Sequence, residues 1–304
     1  MVGQKWWLSS ALMVAMVALP AIAMADEAAG PTGEAAEVFD DEPVDEDRGG
    51  FRHQSALQIR ARPVGLSLFS DTAHRTYLFD SESVLFADAY VDGGITTAFS
   101  PAFAWVGPYV EMVPIAVLNL RVSVQHLSYF GTFGFLHDAG TERDWSLDAL
   151  DRSADQSLGM SATGFRLEAR ATPQMRVDRI VFTAETSFHI QEVDVDRAYY
   201  EPYFDILFEP QERFLITRPT LGYLIGSDLS HWYLLVGARW ERIMTANSDI
   251  TRDTAGLVWA WSIPDTLIGF TDATFAGFAG VHIDHPNRGD SVDPYMGVQF
   301  VTSF

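Results

Sequence analysis

The densest set of chemistry-bearing side chains in this sequence is His282-Ile283-Asp284-His285, with two histidines three residues apart around an aspartate. Imidazoles at that spacing can share a metal ion, and an imidazole beside a carboxylate can activate water. Two histidines and an aspartate in a loop are more often merely solvated, and the sequence favours that reading. Acidic clusters are the next candidates: Asp194, Asp196, Glu201 and Asp205 in one stretch, and Asp284, Asp290 and Asp293 in another. Oxygen-rich loops suit divalent cations such as calcium or magnesium, although no EF-hand spacing is present. Arg288-Gly289-Asp290 is too short to be informative. No phosphate loop, dinucleotide fingerprint, Cys/His zinc pattern or G-x-S-x-G element occurs, so the sequence implies no cofactor and names no catalytic residue.

A third set of charges is defined by period. Arg60, Arg62, Arg121, Arg166, Glu168, Arg170, Glu185, Arg218, Arg239 and Glu241 occupy the polar positions of stretches in which every second residue is apolar. In Leu118–Gln125 the even positions are aliphatic and the odd ones polar, and Phe165–Ala171, Ile180–Gln191, Leu234–Glu241 and Leu257–Ser262 repeat the pattern. A period of two is that of a β-strand with chemically distinct faces. After Pro63 the apolar parity shifts to Val64, Leu66 and Leu68, which reads as a bulge.

The N-terminal fifty residues belong to another class. Lys5, the only lysine, precedes an apolar run from Trp6 to Leu19, then Pro20 and Ala21-Ile22-Ala23-Met24-Ala25. That is the grammar of a secretion signal spanning residues 1–25; the run falls short of the roughly 20 unbroken apolar residues of a membrane-spanning helix. Residues 26–50 carry ten acids against Arg48 alone, among Ala, Gly and Pro, and read as a disordered acidic tether. Twenty basic against 41 acidic residues, a net charge of −21, argue against nucleic acid as a partner. The absence of cysteine excludes a disulfide scaffold and a lipid anchor after the leader.

Residues 51–304 could be a soluble sandwich or a membrane barrel, since both alternate. The long strands, the leader and the C-terminal strand favour the barrel. That strand, Tyr295–Phe304, carries Met296, Val298, Phe300 and Phe304 on one face and stops on a phenylalanine. It resembles the assembly signal of bacterial outer-membrane β-barrel proteins, and the resemblance implies recognition by the barrel-assembly machinery, with lipid as the outer contact. His53-Gln54-Ser55 resembles the His-x-Ser element of outer-membrane phospholipases, but Ala56-Leu57 stand where that family continues with Asn-Gly. The Asp284/His285 pair resembles the water-activating pairs of outer-membrane proteases.

The expected architecture is all-β: a single antiparallel transmembrane barrel of about ten strands, at 54–69, 92–113, 117–130, 158–171, 178–192, 212–226, 231–245, 254–263, 267–282 and 294–304. Twelve is the alternative, if 76–86 and 198–208 add a pair. Short turns at Pro114-Ile115-Ala116, Thr172-Pro173-Gln174, Gly226-Ser227-Asp228 and Ile263-Pro264-Asp265 are placed on the periplasmic side with both termini and with His53, which precedes the first strand. Stretches near 70–90, 131–157, 193–210, 246–253 and 284–293 become outer loops. Trp105, Tyr109, Tyr129, Trp232, Trp240, Trp259 and Trp261 are expected in lipid-facing girdles, and Tyr199, Tyr200 and Tyr203 are placed where a loop could stack on sugar. The charged row should line a lumen largely filled by its own ion pairs. The function that follows is a non-enzymatic outer-membrane protein, structural or surface-interacting; a narrow pore and a hydrolase of lipid or peptide are the alternatives.

Overall fold

The structure, a computed structural model, describes residues 49–303 except 62–63, 84, 133–135, 137–144, 157–158, 228–231, 264–272 and 287–293. The leader, nearly all of the acidic segment, Arg62 and Phe304 therefore lie outside the described residues. Strands β1 (Gly50–Ala61), β2 (Val64–Tyr77), β3 (Tyr90–Phe99), β4 (Phe103–Ile115) and β5 (Leu118–Phe130) precede helix α1 (Leu147–Asp155). Strands β6 (Ser161–Val177), β7 (Ile180–Val193), β8 (Tyr199–Glu201), β9 (Ile206–Phe208) and β10 (Gln211–Ser227) come next. Strands β11 (Trp232–Thr245), β12 (Thr251–Ile263), β13 (Ala273–Asp284) and β14 (Pro294–Ser303) complete the chain. Twelve of them form a closed antiparallel barrel in chain order, shut by β1 against β14, while β8 and β9 form a separate two-stranded sheet.

The number is twelve, not ten, and the two additional strands do not arise where the sequence placed them. The stretch 54–69 is a hairpin: Ala61 pairs with Val64, so the parity shift after Pro63 marks a two-residue reversal, not a bulge. The stretch 92–113 also folds back, because the Ser100 hydroxyl oxygen accepts the N–H groups of Ala102 and Phe103 and closes a turn at 100–102. Conversely, Thr172-Pro173-Gln174 is no turn. β6 runs through it, with Pro173 opposite Leu118 at the start of β5 and an interruption of the β7 ladder between Ala171 and Gln174. The reversal lies at 178–179, where Asp178 takes a positive φ of 54°.

Antiparallel order sets the ends. Gly50 and Ser303 share one end with the described loop residues of 78–89, 116–117 and 178–179; the other end carries 100–102, the described residues of 131–160, 194–210, 246–250 and 285–286. The 78–89 loop is thus on the terminal end, not among the outer loops, because the 62–63 hairpin reverses the chain one strand earlier than expected.

The two faces of the barrel wall differ as alternation requires. Outward positions expose Leu57, Ile59, Val110, Val122, Val124, Phe165, Ile180, Phe188, Leu221, Leu257 and Trp261. Inward positions bury Gln58, Arg60, Arg121, Ser123, Gln125, Arg166, His189, Arg239 and Glu241.

Candidate functional site

The interior is closed at the end opposite the termini by the chain itself. Between β7 and β10 the backbone turns into the lumen, and β8 and β9 pair there through Tyr199↔Phe208, Tyr200↔Leu207 and Glu201↔Ile206. Every residue of the two strands is buried. Phe204, Phe208 and the wall residue Phe214 pack against one another in tilted and edge-on pairs at 4.7–5.9 Å, and Tyr203 meets the Trp105 ring edge-on at 4.5 Å. Phe103, Leu127, Tyr129, Ile216 and Ile243 line the wall around this hairpin, with Leu136 and Trp145 joining the same apolar cluster. Burying aromatic rings against one another is among the larger local contributions to stability.

The plug is also tied down by polar groups. Arg60 donates to the Tyr203 carbonyl at 2.7 Å and Arg252 to that of Phe204. The Glu201 carboxyl receives the Tyr129 hydroxyl at 2.9 Å and the Phe204 N–H at 2.7 Å. Burial holds this carboxyl above the usual carboxylate range.

Across the middle of the lumen runs a belt of alternating charge. Arg121 grips Asp71 with two donors at 2.6 and 3.2 Å and lies 3.6 Å from Glu111. Arg170 stands 3.8–3.9 Å from Glu111, Glu168 and Glu185. Arg218 bonds both Glu185 and Glu241 at 2.6 Å, and Arg252 meets Glu241 on the far side. Seven of the predicted lining residues are therefore brought together: Arg121, Glu168, Arg170, Glu185, Arg218 and Glu241 in the belt, and Arg60 at the plug. Arg166 instead bonds the Gln125 carbonyl at 2.5 Å and stacks on Trp105, while Arg239 lies over Phe278 and 3.4 Å from the Thr220 hydroxyl. Arg62 falls outside the described residues. Asp71, Glu111 and Arg252 were missed because their segments were read as loop or as one overlong strand. Below the plug, belt residues line a cavity of about 200 Å³ that also reaches Gln54, Thr96 and Gln299.

Other candidates are placed differently from expectation. Trp105, Tyr109 and Tyr129 are buried in the lumen rather than in a lipid girdle: splitting 92–113 reverses the parity of the first two, and Tyr129 continues the inward odd-numbered row of β5; Tyr109 lies under the Arg121 guanidinium at 3.8 Å. Trp240 and Trp261 do face outward; the Trp232 side chain is outside the described residues. Tyr199, Tyr200 and Tyr203 are inside the plug, not on a sugar-accessible loop. Among the acids, Asp194, Asp196 and Asp284 are exposed, Glu201 and Asp205 are buried, and Asp290 and Asp293 are outside the described residues. Met296 is exposed, and Val298 and Phe300 are half-exposed on the same outward row.

His282 and His285 are not solvated. Both are buried, and the aspartate they meet is Asp205 from the β8–β9 turn rather than Asp284. His53 lies within β1, not before it, on the outward row next to the terminal end. Its Nδ1 is 2.8 Å from the Thr72 hydroxyl on β2 and its Nε2 is 2.9 Å from the Ser55 hydroxyl. With the proton on Nδ1, that ring is oriented by Thr72 and placed to accept the proton of Ser55.

The sequence matches no family model and no curated protein. Among solved structures, the β domain of the Bordetella autotransporter BrkA superposes with a TM-score of 0.44 at 11% identity, covering 85% of this chain and 99% of that one. LpxR from Salmonella typhimurium gives 0.39 at 9% identity, with 83% and 99% covered. OmpT, an outer membrane protein of Vibrio cholerae, gives 0.35 at 8% identity, with 84% and 97% covered. Likeness of this degree assigns neither family nor function.

Proposed function

We propose that this chain is a bacterial outer-membrane β-barrel that does not conduct: a structural or surface-interacting protein whose lumen is occupied by its own β8–β9 hairpin. The outward rows of aliphatic and aromatic side chains support lipid as the surrounding solvent, since exposing so many to water would be costly. Residues 1–25 act as the export signal, residues 26–50 as a periplasmic acidic tether, and the β14 row ending at Phe304 as the signal read by the assembly machinery. The exposed acids of the outer loops are available to divalent cations. The single observation carrying the non-conducting reading is the buried hairpin with its aromatic packing.

Planar-bilayer recording tests it. The intact protein should give no steady current, and replacing residues 198–208 by a short Gly/Ser link should open one. A large steady current through the intact protein would make it a channel.

One observation favours a second reading, a hydrolase acting on lipid: the Thr72–His53–Ser55 hydrogen bonds on the outward row. Phospholipid turnover by the purified protein that vanishes in Ser55→Ala, with unchanged folding, would establish it; no turnover would leave a rim hydrogen-bond cluster.

A further inference from the structure

The plug meets the wall at a point that the apolar packing does not explain. Asp205, in the β8–β9 turn, takes a positive φ of 51°, and its carboxylate lies among His282 of β13 and His285 just beyond it. All three side chains are at most 2% exposed. The Nε2 atoms of His282 and His285 are 3.7 and 3.6 Å from the same oxygen, Asp205 Oδ2, and each of the three residues offers a ligand atom within 4.8 Å of the other two.

Those distances discriminate between two arrangements. A histidine–carboxylate hydrogen bond would bring N and O to about 2.7–3.2 Å. Donors that share one tetrahedral ion at about 2.0–2.1 Å from each stand about 3.4 Å apart. The two rings converge on one oxygen at nearly the second spacing and not at the first. Two further atoms of the triad are held from behind: the Tyr200 hydroxyl donates to Asp205 Oδ1 at 2.7 Å, and the Thr254 hydroxyl lies 3.3 Å from His282 Nδ1. Outer partners of this kind orient metal ligands and fix the imidazole tautomer. His285 Nε2 also lies 3.3 Å from the Asp205 carbonyl, a long contact that metal binding would replace. The Trp145 ring packs on His285 at 4.9 Å.

We propose that Asp205, His282 and His285 form a binding site for a divalent transition-metal ion, zinc by donor type, which fastens the β8–β9 hairpin to β13. Two imidazole nitrogens and one carboxylate oxygen suit zinc and neighbouring transition ions and are poor ligands for calcium or magnesium. The site rests on the plugged reading only in that the hairpin supplies Asp205.

The test uses the full chain folded in detergent, stripped with a chelator and titrated with zinc. One zinc per chain is expected, with affinity falling at least tenfold in Asp205→Asn, His282→Gln and His285→Ala and unchanged in Asp178→Asn, exposed in the turn at the opposite end of the barrel. Zinc should raise the melting temperature of the unaltered protein but not of those three variants, and calcium should have no effect. Undiminished binding in the three variants, no binding by the folded unaltered protein, or equal stabilisation by calcium would each overturn the site. If a variant does not fold, cobalt(II) added to the unaltered protein decides: intense visible absorption abolished by zinc supports a tetrahedral nitrogen–oxygen site, and weak absorption insensitive to zinc refutes it. Bilayer recording keeps the two readings apart, because a protein that conducts yet binds one zinc here would overturn the non-conducting reading while the hairpin stays fastened through Asp205.

Discussion

The barrel is filled in two ways. The end opposite the termini is closed by aromatic side chains from a single 11-residue segment, whereas the middle is crossed by guanidinium and carboxylate groups supplied by eight different strands. The first filling is local in sequence and non-directional, so its stability should depend on volume. The second is distributed and directional, so it should depend on every member keeping its partner. A barrel of this circumference has room for both, and the cavity lies where they meet.

Substitutions that act on one filling and spare the other sharpen this contrast. Phe204→Ala and Phe208→Ala should each cost about 3–5 kcal/mol in reversible unfolding from detergent, through loss of packed volume. Glu241→Ala should cost a similar amount, about 3–5 kcal/mol, by a different route: it leaves Arg218 and Arg252 facing a missing carboxylate. The two fillings separate in the double mutants. Replacing Arg218 as well should recover part of the Glu241 loss, whereas a second plug truncation should recover nothing. Additive losses in both pairs would erase the contrast.

The outer wall provides the next scale. Val122→Arg puts a charge in the lipid-facing row and should cost about 2–4 kcal/mol with poor assembly, while Ser123→Arg, on the lumen side, should be milder; equal effects would mean the faces are reversed.

Glu201 tests the plug's own polar anchor. Because its folded pKa is raised, the protonated carboxyl contributes stability that is fully present below the ordinary carboxylate pKa and is lost as pH rises through the raised value. Melting temperature should therefore fall across that window in the unaltered protein and stay flat in Glu201→Gln. The smallest effect is expected at the rim, where Arg242 bonds Asp253 at 2.6–2.8 Å but is more than a third exposed. Asp253→Asn should cost less than about 1 kcal/mol.

How far the sequence foretold these regions follows from the range over which each signal acts. The inward and outward rows were readable because alternation is a property of neighbours, and the lumen charges came with them. Strand number was not, because a hairpin as tight as that between Ala61 and Val64 leaves only a change of parity, which a bulge also leaves. The plug offered a signal that the loop label obscured. Tyr199, Tyr200, Tyr203, Phe204, Ile206, Leu207 and Phe208 form the most apolar stretch of any supposed outer loop, and such a stretch must be covered. Nothing local joins Asp205 to His282 and His285; only the inward fold of the hairpin does.

Closure by β1 against β14 places Gln54 opposite Ser303, so the seam joins the two ends of the sequence, while every other neighbouring pair in the wall is joined by a single intervening loop. Loop-closure entropy makes such a distant pairing the slow step of assembly. The hairpin leaves the wall between β7 and β10, opposite the seam, but reaches across to Arg60 of β1, so it can be seated while the wall is still an open sheet and meet β1 as the seam shuts. An engineered crosslink that holds it outside should stall the last pairing rather than the first. Time-resolved heat-modifiability on gels would then show open intermediates that accumulate before the final shift to the closed form.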